Sequence, residues 1–423
     1  MPQAQTDVVA AQLEAVTPLL TGMYDKANTL YNRFQKIMVS EQSGRDNRMP
    51  MLLRPGGYSV KADFDGGDLK TGSGPKFDYT AMSPIDWTYN ISWTLKTKFT
   101  TDSTKKAVVD TVQLTIAESI KEARTRMDKY LNLDNQYAVL GTATAYTGSG
   151  GGGSDKVYTF GTGGLRARPF RAGDMVTVQQ GTSSLGDRII KHVDYENNKV
   201  TLTVAPTGSP AASDKLLVYG CDAASTTNAF FYPISYSHNN STSGSFLGKT
   251  RVDYPEFWTP TVDGNSGALT PDLLNQALIA LDVILGEDVR DTGDWFWYLH
   301  PKLQYNLIQY QTTISEITFP MGGANKQVDL GHSRRVNRVF SQIPIETAIN
   351  ADETRVDLFD GKNWLRCVYK EIGWIPLGGK TVLPVPNSTG YDAAEQSWFG
   401  GSQQFAARNA RRGVYISSLD SGL

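Results

Sequence analysis

The chain has 423 residues, with 41 Lys and Arg against 43 Asp and Glu, a formal net charge of −2 and a hydrophobic fraction of 40%, enough for a real core in one large or two to three ordinary domains. Near-neutral charge excludes a generic nucleic-acid coat, and two cysteines, Cys221 and Cys367, exclude a disulfide framework and point to synthesis in a reducing cytosol. No apolar run approaches the about 18 residues of a membrane span, and the N-terminus lacks the basic region of a signal peptide, so the expectation is a soluble protein outside the standard secretory route.

Residues 7–39 predict a helix, with Val8, Leu13, Val16, Leu20, Met23, Ala27, Leu30 and Phe34 at three- and four-residue steps and a kink at Pro18. A polar break, "SEQSGRDNRMP" (40–50), follows. Residues 51–100 have no helical period. "YSVKADF" and "DWTYNISWTLKTKF" alternate and are rich in aromatic and β-branched residues. Between them lies the soft stretch "ADFDGGDLKTGSGPKFDY" (62–79). The unit reads as a two-stranded excursion with a glycine-rich tip, its flanking strands at Tyr58–Phe64 and Trp87–Phe99. A lone ribbon is marginal in water, so it needs a surface to lie on.

Residues 102–131 predict a long helix, Asp102 or Ser103 capping it and a narrow stripe running through Val108, Val112, Ile116, Ile120, Ala123, Met127 and Leu131. Such a helix packs on one side, as in a thin, elongated body. "GTATAYTGSGGGGSDK" (141–156) reads as a flexible linker. Five short strands follow, Val157–Phe160, Asp174–Gln180, Arg188–Asp194, Lys199–Ala205 and Lys215–Gly220, with a tight turn at "ENNK". They predict a small β-barrel or sandwich over 157–220, inserted and folding alone as 155–222. Residues 270–286 predict a helix capped by Thr270, started by Pro271 and ended by Gly286. A strand "DWFWYLHP", a helix "KLQYNLIQYQ" and terminal strands "RVDLFDGKNWLRCVYKEIGWIPL" and "RRGVYISSL" complete the chain.

The search for chemistry returns nothing. His192, His238, His300 and His332 show no ligand spacing, and His300, before Pro301, reads as structural. "GSGGGG" (148–153) fits a dinucleotide fingerprint formally but lacks the strand and helix around it. Asp63, Asp65 and Asp68 suggest calcium, yet the twelfth position is Gly74 where a bidentate Glu is required. Three arginine groups, Arg166/Arg168/Arg171, Arg334/Arg335/Arg338 and Arg408/Arg411/Arg412, could touch phosphates, but in this near-neutral chain ion pairs between subunits are the expected role. No catalytic, cofactor-binding or metal-ligating residue is assigned.

The order of elements, with "LRPGG" (53–57), "DGGDLKTGSGPKFDYTAMSP" (65–84), "TDSTKKAVVD" (101–110), "SIKEARTRMDKYL" (119–131), "GSFLGKTRVDYPEFW" (244–258), "LTPDLLNQAL" (269–278), "WYLHP" (297–301) and "NARRGVYISSL" (409–419), resembles the major capsid proteins of tailed bacteriophages, the Hong Kong 97-like fold. The resemblance implies an α+β fold divided into an N-terminal arm (1–50), an extended loop (51–100), the spine helix of a peripheral domain (101–140), a linker and inserted β domain (141–225), an axial domain with connecting segments (226–385) and C-terminal strands of the peripheral domain (386–423). It implies a structural, non-enzymatic protein without cofactors, assembling as hexamers and pentamers of an icosahedral virion head around double-stranded DNA, in the host bacterial cytoplasm. Portal, scaffolding and decoration proteins are the partners it suggests, with DNA enclosed without sequence-specific contacts and no membrane. The extended loop would lie across a neighbouring subunit, which explains its soft composition. Some relatives crosslink a loop lysine to an asparagine, which makes Lys61, Lys70 and Lys76 candidates. No coiled coil precedes the arm, so a fused scaffolding region is expected to be absent or removed. The alternatives are an encapsulin-like compartment shell and a β-rich binding protein.

Overall fold

The computed structural model describes residues 30, 34–38, 47–54, 56, 74–94, 123, 126–148, 156–161, 165–222, 230–254, 257–289, 293–308, 339–387 and 390–420. Its first strands are β1 (Gln35–Met38), β2 (Asn47–Arg54), β3 (Lys76–Met82) and β4 (Ile85–Thr94). Three differ from expectation. The end of the expected arm helix is strand β1, because Gln35–Met38 pair in parallel with residues 365–368, a long-range contact that helical spacing does not report. The expected polar break runs into β2, which pairs antiparallel with β3, so the ribbon's strands are 47–54 and 76–82. Tyr58–Phe64 lie outside the described residues, and the stretch from Trp87 belongs to β4, which leaves the ribbon for the main sheet. Of the expected helix 102–131, the described residues are Ala123 and α1 (126–131); Ala123, Met127 and Leu131 are buried, as the stripe predicts. Ile116 and Ile120 lie outside the described residues.

A closed barrel follows, built from β5 (Val139–Thr147), β6 (Lys156–Phe160), β7 (Met175–Gln180), β8 (Ser183–Asp194), β9 (Lys199–Leu202) and β10 (Lys215–Val218) in the order β10-β5-β6-β9-β8-β7. The turn before β9 places Asn198 at φ 53°, the conformation asparagine tolerates. Residues 141–147, read as linker, are strand β5. Their small residues have a packing reason: a Cβ on Gly141 would stand 2.8 Å from Phe160 Cε1 and 3.3 Å from Phe170 Cε2. The barrel has its own core, which includes Tyr158, Phe160, Phe170, Val178, Val200 and Leu216. Because β5 bonds both β10 and β6, a fragment spanning 155–222 is an open sheet with two bare edges. We therefore expect 137–222 to give a dispersed amide spectrum and 155–222 to give a collapsed or aggregated one. Equal dispersion from both fragments would show that β5 is dispensable.

The rest comprises β11 (Ser245–Phe246), β12 (Lys249–Thr250), β13 (Thr261–Asp263), α2 (Pro271–Leu285), β14 (Trp295–Leu299), α3 (301–308), β15 (Val339–Phe340), β16 (Ile343–Thr347), β17 (Val356–Asp360), β18 (Trp364–Trp374), β19 (Val382–Asn387), β20 (Gly390–Ala407) and β21 (Gly413–Ser417). Helix α2 begins and ends as its sequence dictates. The Thr270 hydroxyl accepts from Leu273 N, Pro271 opens the first turn, and Gly286 closes it at φ 69°. One sheet has the order β1-β18-β20-β19, with β4 also on β20; another has the order β13-β21-β17-β14-β16-β15. The expected cut at 385/386 falls inside β19, and both sheets draw strands from both sides of it. Trp364 links the two sheets: fully buried, it stacks on Phe34 at 5.0 Å and meets Phe359 edge-on at 5.1 Å.

Candidate functional site

The ribbon of β2 and β3 has two faces, since side chains alternate along each strand. Met49, Thr80 and Met82 point inward and are buried, Met49 and Met82 in a small core with Phe246, Leu247 and Cys367. On the opposite face Leu52 stands opposite Phe77, and Pro50 stands opposite Tyr79. These outward residues are exposed: Leu52 by 56%, Phe77 by 67% and Tyr79 by 48%. Together they form an exposed apolar face on the ribbon. The inner face is fixed by a polar lock that sequence reading missed. Lys249 Nζ donates to Asp78 Oδ1 at 2.6 Å, Tyr254 donates to Asp78 Oδ2 at 2.5 Å, and the ammonium also sits 4.9 Å from the Tyr79 ring. The hydrogen bond from Lys249, then that from Tyr254, pulls the Asp78 carboxyl down to about 2. The signal for β3 in the sequence is the period-two pattern of "KFDYTAM", which begins inside the soft stretch. Lys76 lies on β3 with its ammonium 5.8 Å from the Tyr254 ring, while Lys61 and Lys70 lie outside the described residues.

Three of the grouped arginines are engaged within the chain itself. Arg166 and Arg168 reach Glu353 within the same chain, at 2.9 and 3.1 Å, and Lys302 Nζ approaches the same carboxylate at 3.4 Å. Arg168 also donates to Ile349 O, and Arg126 of α1 pairs with Asp174 beside β7 at 2.5 Å. These contacts fasten the barrel to the body. Arg412 Nε meets Asp360 at 2.9 Å. For Arg166, Arg168 and Arg412 the expected pairing between subunits is thus corrected to pairing within one chain, because the acids that satisfy them sit far away in sequence. Arg334, Arg335 and Arg338 lie outside the described residues.

Two histidines are structural. His300 accepts from Lys302 N through Nδ1 at 3.2 Å and so caps α3, with Nε2 4.0 Å from Glu353. Burial, followed by the nearby Arg168 charge, lowers its pKa to about 4. His238 is fully buried against Phe359 and Trp364, and its Nδ1 lies 3.0 Å from Asp357. Burial outweighs that carboxylate and lowers its pKa as well. In the unfolded chain each imidazole titrates near about 6.5. Below that pH the unfolded state takes a proton that the folded sites refuse, so stability is full above about 6.5 and falls toward the folded value. We expect the urea midpoint to drop between pH 7 and 4.5, and His300→Gln to drop less steeply. A profile flat over that range would contradict the assignment of both rings as neutral. His192 is exposed on β8, and His332 lies outside the described residues.

Among the described residues no cluster of three His, Cys, Asp or Glu side chains is placed to hold a metal ion. Asp63, Asp65 and Asp68 lie outside them.

No protein-family model matches the chain, and no curated protein matches it. Solved structures do. A chain of the Cyanophage A-1(L) capsid asymmetric unit superposes with a TM-score of 0.51 at 12% identity, over 92% of this chain and 91% of that one. The Gordonia phage Cozz structure gives 0.44 at 11% identity over 93% and 88%, and the SrpI encapsulin of Synechococcus elongatus gives 0.37 at 8% over 93% and 90%. Of these three the first carries the comparison: nearly end to end, the chain has the fold of a phage capsid subunit.

Proposed function

We propose that this chain is the shell-forming subunit of a tailed-phage head, a structural protein without catalytic chemistry that tiles an icosahedral shell around double-stranded DNA. One observation carries the reading. A chain with a phage capsid fold turns the apolar face of its ribbon, Leu52, Phe77 and Tyr79, away from its own body. In a shell that face lies on a neighbouring copy, and the soft segment between β2 and β3 goes with it. Residues 102–131 act as the spine of the subunit. The barrel serves as an insertion: Leu217 pairs with Val139, and Val218 N donates to Ala138 O at 3.0 Å, so the chain enters and leaves at one point. Arms and ribbons interlock neighbours, so a modest apolar area per contact is multiplied over many copies.

The test is sedimentation of the purified protein, followed by electron microscopy. Capsomers and closed shells are expected. A homogeneous monomer at tens of micromolar, unmoved by crowding agents or scaffold, overturns the reading. Particles that enclose protein cargo in place of DNA would assign the same fold to an encapsulin-like compartment.

A further inference from the structure

A cleft of about 740 Å³ opens beside the outer end of β2. Met51 and Leu53, on the inner side of the ribbon, form one wall. The other wall comprises the turn after β17, which brings Lys362, and the turn after β20, which brings Arg408, Arg411 and Arg412. The two turns are cross-braced. Asn363 Nδ2 donates to Asn409 O at 2.8 Å, Asn409 N donates to Asn363 Oδ1 at 2.9 Å, and Arg408 N donates to Asn363 O at 2.8 Å. The cations therefore stand on a fixed frame.

The charge is one-sided. Lys362, Arg408, Arg411 and Arg412 line the cleft with one carboxylate, Asp360, and Glu287 stands 3.8 Å from Arg412 at its edge, in a chain whose net charge is −2. Asp360 is engaged already, accepting from Arg412 Nε at 2.9 Å and from Lys362 N at 3.1 Å. Lys362 and Arg408 are exposed. A short acidic segment with some apolar character suits such a cleft better than a duplex. A duplex spreads its charge along about 1.7 Å of axis per phosphate and asks for a long basic stripe.

The chain carries one segment of that chemistry next to the ribbon: "DFDGGD", with Asp63, Asp65 and Asp68 and no basic residue until Lys70. We infer that the cleft receives this acidic segment from a second copy of the chain. The inference rests on the shell reading and adds the receiving site to it. The outward apolar face of the ribbon calls for cover by another copy, and the acidic segment between its strands travels with it. Each copy then gives a segment and offers a cleft, a head-to-tail contact that repeats from subunit to subunit.

The test uses two charge-reversed versions of the full chain, Lys362→Glu with Arg408→Glu, and Asp63→Lys with Asp65→Lys and Asp68→Lys. The urea midpoints of both are first compared with the parent to confirm folding. Each version alone should lose at least about tenfold of its sedimenting assembly, since like charges then face each other. An equal mixture should recover assembly, because each version's segment meets the other's cleft. If either version fails to fold, Lys362→Gln with Arg408→Gln replaces it, and its assembly should lose most of the parent's salt dependence. Reversed versions that assemble like the parent overturn the inference and leave the shell reading standing. So does recovery in a chain carrying all five changes but not in the mixture, which places the contact within one copy. Normal shells that lose DNA instead would assign the cleft to phosphates. A parent that never assembles overturns both readings.

Discussion

Asp357→Ala should cost about 3–5 kcal/mol, the usual effect of removing one partner of a buried ion pair. Asp357 sits on β17, the middle of the six-stranded sheet, opposite Tyr298 on one side and Tyr415 on the other. Arg355 grips its carboxylate twice, Nε to Oδ2 at 2.9 Å and Nη2 to Oδ1 at 2.7 Å, and also donates to His238 O. The guanidinium lies 4.1 Å from the Tyr415 ring. Burial alone would raise the Asp357 pKa, but the charge of Arg355 and the hydrogen bond from His238 reverse it and hold the carboxyl below its usual range. Alanine therefore leaves a partly buried guanidinium without its counter-charge and a fully buried imidazole without its acceptor. The control is Glu196→Ala in the exposed turn before β9, where a change within about 0.5 kcal/mol is expected. Urea midpoints of the two variants are compared, and equal midpoints would show that the Arg355–Asp357–His238 cluster is not what holds this sheet.

Trp364→Ala should be comparably severe, about 3–5 kcal/mol, because it empties the space where Phe34, Phe359 and His238 meet. Trp364→Phe tests the mechanism rather than the residue. The indole Nε1 is buried without a hydrogen-bond partner among the described residues. Phenylalanine keeps most of the volume and removes an unsatisfied donor, so its cost should stay under about 1.5 kcal/mol. Were phenylalanine as damaging as alanine in the same denaturation assay, the role assigned to aromatic volume would be wrong.

What the sequence revealed divides along the range of the interactions. Helix α2 was readable to the residue because Thr270, Pro271 and Gly286 act on their own backbone. Five barrel strands were readable from alternation and turns. The sixth, β5, was not: its small and polar residues look like a linker, and its place is set by Phe160 and Phe170 pressing against Gly141. β1 was masked by a helical spacing that continues up to Phe34, whereas its partner strand lies more than three hundred residues later. The sequence announces the ribbon but not its strands: "RMPMLLR" straddles the end of the polar break and residues without a strand signal of their own, and "KFDYTAM" begins inside the soft stretch. Arginines at 166 and 168 announced ion pairs but not Glu353, because no local pattern tells an acid at that distance from an acid on another subunit. The soft composition around the ribbon is the feature of the sequence that points to a function of assembly.

The measurement that bears most directly on that function is a cryo-electron microscopy reconstruction of particles purified from cells expressing the full chain. A closed icosahedral shell is expected, in which the face bearing Leu52, Phe77 and Tyr79 is covered by a neighbouring copy. A shell with that face open to solvent, or fields of separate subunits with no shell, would contradict it.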